Sequence, residues 1–279
     1  MAQLHLNGAA LHYRVQGDGA PVVALHGSAS TGAQWRSLVG YLCGRFEVFT
    51  PDLPGYGLSE PLILSAGLAG DARAIGGLID RIGGRVHLVG HGYGGAVALK
   101  LAATRPELLR SLTVIEPAAF HLLRRGPRSD RLLYSDIAAL AAQVFASAIA
   151  GDREAAIRAA VDYWNGDGAW SRSSEGLRAV LLARLERVCA DLRAVMFEDG
   201  NLAELARIDV PALAVMGLDS PAPSVRLTEL VAETLPRAQL RFVPDAGHMA
   251  PLTDPHVIDP MIAGLLVAAE AVAGRAAAA

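Results

Sequence analysis

The stretch Val86-His87-Leu88-Val89-Gly90-His91-Gly92-Tyr93-Gly94-Gly95 closes an apolar run with a tight turn and leads straight into Tyr93 to Thr104, where Ala, Val and Leu recur at helical spacing. A strand that turns sharply into a helix through G-x-S-x-G lifts a serine hydroxyl to the edge of a sheet, where it serves as a nucleophile. Here the central position is Gly92. Gly90, Gly94 and Gly95 suit a turn in which strand and helix backbones come too close for a Cβ. The scaffold for nucleophilic chemistry is therefore complete and its reactive atom is absent. The other residues able to do chemistry stand where predicted strands end: His26, Asp52, Glu116, Asp219 and His248. A histidine exchanges a proton near neutral pH and a carboxylate can orient its ring, so this set suits general base chemistry.

Positioning such residues takes a sheet whose strands all end on one side. Leu4 to Leu6 and Leu11 to Val15 alternate apolar and polar residues around Asn7-Gly8, which predicts an antiparallel hairpin. Pro21 to Leu25, Phe46 to Thr50, Val86 to Val89 and Leu112 to Ile115 are apolar runs of buried strands, separated by helices near 33–42, 69–82 and 93–104. From Phe120 to Ile208 only helical patterns appear: 131–150, 153–164, 175–189 and 192–197, with a loop at Asn165-Gly166-Asp167-Gly168. Strands resume at 212–216 and 240–243, and a last helix runs from about 255 to 273, before an alanine tail expected to fray. This order predicts an α/β fold, a mostly parallel central sheet with helices on both faces and a helical cap insertion. The expected division is a core at 1–119, a cap at 120–208 and the rest of the core at 209–279.

A chain of 279 residues that is 52% hydrophobic can fill one large core, and its net charge of −3 speaks against nucleic acid as a partner. Cys43 and Cys189 lack redox or zinc spacing. The N-terminus has no secretory pattern, and no apolar stretch is read as a membrane span, so a soluble cytoplasmic protein acting on a small molecule is the expectation. No metal motif or phosphate loop is present. The glycines at 90–95 miss the dinucleotide spacing, so no cofactor is expected.

Four stretches together carry a resemblance: His26-Gly27 after one strand, Pro51-Asp52-Leu53-Pro54-Gly55-Tyr56-Gly57, the turn at 90–95, and Gly247-His248-Met249. They make nearly the whole chain resemble the α/β-hydrolase superfamily, in particular its esterases and lactonases. The resemblance implies an oxyanion hole from the backbone N–H groups of Ser28 and Tyr93 and a general base at His248. It also implies an acid that orients the base. Asp219 keeps the family's order of nucleophile, acid and histidine, and Glu116 is the alternative seat used by some members. Asp52 is read as bracing its turn, and His91 as packing and orientation. His5, His12, His87, His121 and His256 are read as structural. His26, Gly27 and the cap's Trp164 are the candidate substrate contacts, whereas the basic run from His121 to Arg128 is read as a solvated face.

Three readings of Gly92 stay open. The first is a hydrolase of a small or medium apolar ester, thioester or lactone that is here an inactivated or impaired variant, its nucleophilic serine replaced by glycine, most simply as a deliberate change. The second is a lyase, decarboxylase or isomerase that needs no serine and uses His248 as base while the oxyanion hole holds an enolate. The third is a pseudoenzyme that binds a ligand in the cap pocket.

Overall fold

The computed structural model describes residues 2–6, 9–62 and 67–277. The predicted turn at Asn7-Gly8 and the last residues of the alanine tail, 278 and 279, lie outside them. Strands β1 (Ala2–Leu6) and β2 (Ala9–Gln16) pair antiparallel, and β3 (Ala20–Leu25) leads through a short 3-10 turn to helix α1 (Arg36–Leu42). There follow β4 (Phe46–Pro51), α2 (Leu68–Ile82), β5 (Val86–His91), α3 (Gly92–Thr104) and β6 (Leu109–Ile115). An insertion comes next: α4 (Arg128–Ile149), α5 (Arg153–Asn165), α6 (Ala169–Arg172), α7 (Glu175–Leu182), α8 (Leu185–Phe197) and α9 (Leu202–Leu205). The sheet is completed by β7 (Ala212–Gly217), α10 (Ala222–Thr234), β8 (Ala238–Val243), α11 (Ala250–Thr253) and α12 (Pro255–Ala277).

The result is an eight-stranded sheet in the order β1-β2-β4-β3-β5-β6-β7-β8, antiparallel where β2 meets its neighbours and parallel from β4 onward. Strands β3 and β5 pair at the centre, and the chain winds outward from them in both directions. Their C-terminal ends therefore bound the crevice that such sheets offer a ligand. One face packs Leu38 and Leu42 of α1 against Ile258, Ile262 and Leu266 of α12. The other packs α2, α3 and α10 and continues without a break into the inserted helices through Phe120, Ile137, Ile157 and Leu192. The core thus extends beneath the insertion, and burial on both sheet faces explains why the central strands read as unbroken apolar runs.

Two expectations change. The segment read as helices 175–189 and 192–197 breaks instead at Ala183 and Arg184, and α8 runs unbroken through the expected gap. Two helices, α4 and the first part of α12, are long and apolar enough to cross a membrane by length and composition. Both also bury apolar residues in the core, Ile137 and Val144 from α4 and Ile258 and Ile262 from α12.

Four histidines are buried neutral. Burial lowers the pKa of His26, His87 and His121 to about 4 and that of His91 to about 3. An unfolded chain protonates these rings near 6.5, so between that pH and their folded values it binds more protons than the native state. Stability then falls as pH falls, at up to about 1.4 kcal/mol per pH unit for each ring. The expected outcome is a melting temperature that drops steadily from pH 7 to pH 5, followed by circular dichroism. A flat profile over that range would contradict neutral burial.

Candidate active site

The site is built around the turn from β5 into α3. A Cβ at Gly90 would stand 2.4 Å from the carbonyl oxygen of Gly94, and one at Gly94 would stand 2.5 Å from that of His26. Strand, helix and the end of β3 therefore meet backbone to backbone. The turn forces Gly92 to φ +52°, in the left-handed region that costs an L side chain strain. Its carbonyl accepts from the N–H of Ala118 at 2.9 Å, which ties the turn to the loop after β6.

That loop carries Glu116, itself at φ +42° and 1% exposed. Glu116 Oε2 accepts from His248 Nδ1 at 2.8 Å, while Oε1 accepts from the Ser220 hydroxyl at 2.6 Å and the Gly217 N–H at 2.8 Å. Burial alone would raise the pKa of this carboxyl. His248, Ser220 and Gly217 together hold it below the ordinary glutamate value. The sequence expectation of Asp219 as the partner of His248 is corrected: its side chain is exposed, and the end of β7 turns its donors toward Glu116. The order along the chain is unchanged, with Glu116 lying between Gly92 and His248.

With Nδ1 donating to a carboxylate, Nε2 is the ring nitrogen of His248 left to face the turn. An ideal Cβ at Gly92 would lie 3.3 Å from that atom, so the ring faces the turn directly. The ring is held from both sides. His91 packs at 4.7 Å between ring centroids and Trp164 at 4.6 Å. His91 Nε2 donates to the His248 carbonyl at 2.8 Å, its Nδ1 accepts from Gln34 Nε2 at 3.1 Å, and Gln34 Oε1 accepts from the Gly27 N–H at 3.1 Å. Gln34, which the sequence did not single out, thus joins the loop after β3 to the histidine loop. Gly27 leaves room for this chain, since a Cβ there would stand 2.9 Å from His91 Nδ1.

His26 is not a cavity residue, contrary to the expectation of a substrate contact. It is fully buried, its Nδ1 donates to the Gly27 carbonyl at 2.7 Å, and its Nε2 accepts from the Leu53 N–H at 2.9 Å, so it braces two loops. Asp52 braces as expected, accepting from the N–H of Gly32 at 2.8 Å and of Leu58 at 3.1 Å. Gly27, Ser28, Gly92, Tyr93, Trp164 and His248 all line one cavity of about 460 Å³ between the strand ends and the inserted helices. Its walls are mainly apolar, with Phe120, Ile157, Leu181, Val188 and Val195 among them. The run from His121 to Arg128 does not reach it. His121 Nδ1 instead donates to the Val195 carbonyl at 3.3 Å.

Beside the cavity, with Tyr93 and Asp191 on its wall, lies a polar cluster that the sequence did not disclose. Arg187 forms ion pairs with Asp71 and, at 2.9 Å, with Asp191. Its guanidinium lies 5.4 Å from the ring centres of both Tyr56 and Tyr93. Burial lifts the pKa of Asp191 to about 7 against the pull of Arg187.

Comparison with known proteins agrees with this architecture. The enol-lactonase from Burkholderia xenovorans LB400 shares the fold, with a TM-score of 0.76 at 20% identity over 95% of this chain and 100% of that one. The pimeloyl-[acyl-carrier protein] methyl ester esterase of Nitrosomonas europaea is 27% identical over 88% of this chain and 96% of its own length. The soluble epoxide hydrolase of Corynebacterium sp. (strain C12) is 32% identical over 41% of this chain, a match that spans 40% of that enzyme. The model of the alpha/beta hydrolase family matches residues 22–259, most of the sheet and all of the site described above, and the chain belongs to that family.

Proposed function

We propose that this chain is a carboxylic ester hydrolase in its build, with Gly92 in the nucleophile's seat, acting on a small or medium ester, thioester or lactone with an apolar acyl part. The observation that carries the reading is the free Nε2 of His248, 3.3 Å from a Cβ at position 92, on a ring oriented by buried Glu116. A serine hydroxyl at that position would lie within the ring's reach for proton transfer. The acyl group would rest in the apolar cavity under the helical cap. Its carbonyl oxygen would face the N–H groups of Ser28 and of Tyr93. Tyr93 is the second residue of α3, so its N–H belongs to the helix's first turn, where such donors lack an intrahelical acceptor.

With glycine present no acyl-enzyme forms at position 92. His248 then acts as a general base on a water in the space a serine would fill. Residual turnover by the oxyanion hole and binding alone is worth about 10³ to 10⁴ over water. The esterase relative from Nitrosomonas europaea supports the reaction class.

Gly92→Ser is expected to raise hydrolysis of a short-chain chromogenic ester at least about 100-fold over the glycine-bearing chain. It should also lower the melting temperature by a few degrees, because a serine at φ +52° carries about 1 to 2 kcal/mol of strain. If neither protein hydrolyses esters while both are folded, the reading fails, and lyase chemistry through His248 or ligand binding takes its place. In the Gly92→Ser background, Glu116→Gln should lower kcat by about 10² to 10⁴ through loss of the ring's orientation. Asp219→Asn should leave kcat within about twofold. The reverse ranking would return the acid's role to Asp219.

A further inference from the structure

One face of α8 grips both ends of the proposed oxyanion hole. Arg184, which precedes the helix, Arg187 and Asp191 stand at i, i+3 and i+7 and so share that face. Asp191 Oδ2 accepts from the Ser28 hydroxyl at 2.7 Å and from the Tyr56 hydroxyl at 2.6 Å. The Tyr93 hydroxyl donates to Asp71 Oδ2 at 2.7 Å and lies 3.2 Å from Arg187 Nη2. Arg187 joins the two carboxylates, and Arg184 donates to the carbonyl of Ala29, which holds φ +58°. The side chains of Ser28 and Tyr93 are thus moored to one ion cluster, and the cluster's central arginine and one of its carboxylates come from the inserted segment.

We propose that Arg187 and Asp191 are positioning residues, which make the aim of the Ser28 and Tyr93 N–H groups depend on the docking of α8. The inference rests on the oxyanion role assigned to these two residues under the proposed function. In that case the inserted helices do more than wall the cavity. They complete the transition-state binding site, and a chain in which α8 stands off has a cavity but a poorly aimed hole. Charge supports the arrangement. One arginine serves two aspartates, so Asp191→Asn leaves a balanced Arg187–Asp71 pair and still offers a carbonyl oxygen to Ser28 and Tyr56. Asp191→Leu keeps the same charge balance and removes the acceptor.

Two measurements test this. In the glycine-bearing chain, hydrogen exchange at 27–31 and 92–95 is compared among the parent, Asp191→Asn, Asp191→Leu and Ser28→Ala. The last keeps the backbone N–H and the charge cluster in place should Asp191→Leu fold poorly. In the Gly92→Ser background, ester hydrolysis is measured for the same set. The expected result is faster exchange at 27–31 in Asp191→Leu and Ser28→Ala. Their kcat should fall about 10- to 100-fold at KM within about threefold, and Asp191→Asn should stay near the parent in both. Unchanged exchange overturns the positioning role. Changed exchange with an unchanged kcat overturns its tie to catalysis, as does a loss that appears in KM alone. If Gly92→Ser hydrolyses no ester, the functional reading fails while the exchange data still decide whether α8 orders the loop.

Discussion

Everything in this molecule is arranged around the crowding of three backbone segments at the end of β5. Because Gly90 meets Gly94 and Gly94 meets the end of β3 with no side chain between them, β3, β5 and α3 form a single rigid corner. Crowding of that kind fixes direction as well as distance. The turn opens toward the strand ends and leaves position 92 in a conformation that favours glycine. The loops after β3, β6 and β8 then converge on the same point, because a parallel sheet delivers all of its C-terminal ends to one edge. The Gly92 carbonyl bonded to the Ala118 N–H, and the His91 ring bonded to the His248 carbonyl, tie two of those loops to the corner.

Around the site, buried carboxylates meet several partners each. Glu116 is nearly inaccessible, and its two oxygens accept from an imidazole, a hydroxyl and a backbone N–H, which is what keeps it ionised against the cost of leaving water. Asp71 and Asp191 divide one arginine and two tyrosine hydroxyls between them, and for both of them burial wins, so their pKa values rise. The contrast follows from geometry. Glu116 faces donors on all sides, whereas the two aspartates compete for a single cation.

The corner and the sheet were legible in the sequence because both leave strong local marks: uninterrupted apolar runs for doubly covered strands, and glycines at the spacing a tight turn demands. The carboxylate was not. Glu116 and Asp219 both follow predicted strands, and spacing cannot tell a side chain that curls inward from one that points to solvent. What separates them is the positive φ at Glu116 and the inward Ser220 and Gly217 donors, which exist only after folding. His26 misled for a similar reason, since its neighbour Gly27 lines the cavity while its own ring turns back to brace Leu53. The face of α8 is hidden because the helical pattern divides near 190–191 rather than at Ala183 and Arg184, which leaves Arg187 near the end of one expected helix and Asp191 in the gap after it.

The buried cluster of Asp71, Arg187 and Asp191 also raises a question of purpose that stability does not answer. Buried ion pairs of this kind can often be exchanged for apolar side chains of similar volume at little or no cost, because the desolvation of the ions offsets much of their attraction. Apolar packing, however, has no preferred direction. It could seat α8 against α3 without fixing where the Ser28 and Tyr93 chains point, whereas hydrogen bonds of 2.6 to 2.7 Å to two carboxylates hold specific atoms along specific lines. The proposed hole of two N–H donors would depend on aim within fractions of an ångström, and directed hydrogen bonds of this kind are suited to supply it. Gly92 does not disturb this arrangement, since neither donor nor cluster involves its missing side chain. Under the proposed function, the same chain would keep the electrostatic half of an acyl-transfer site while lacking the nucleophile that would use it.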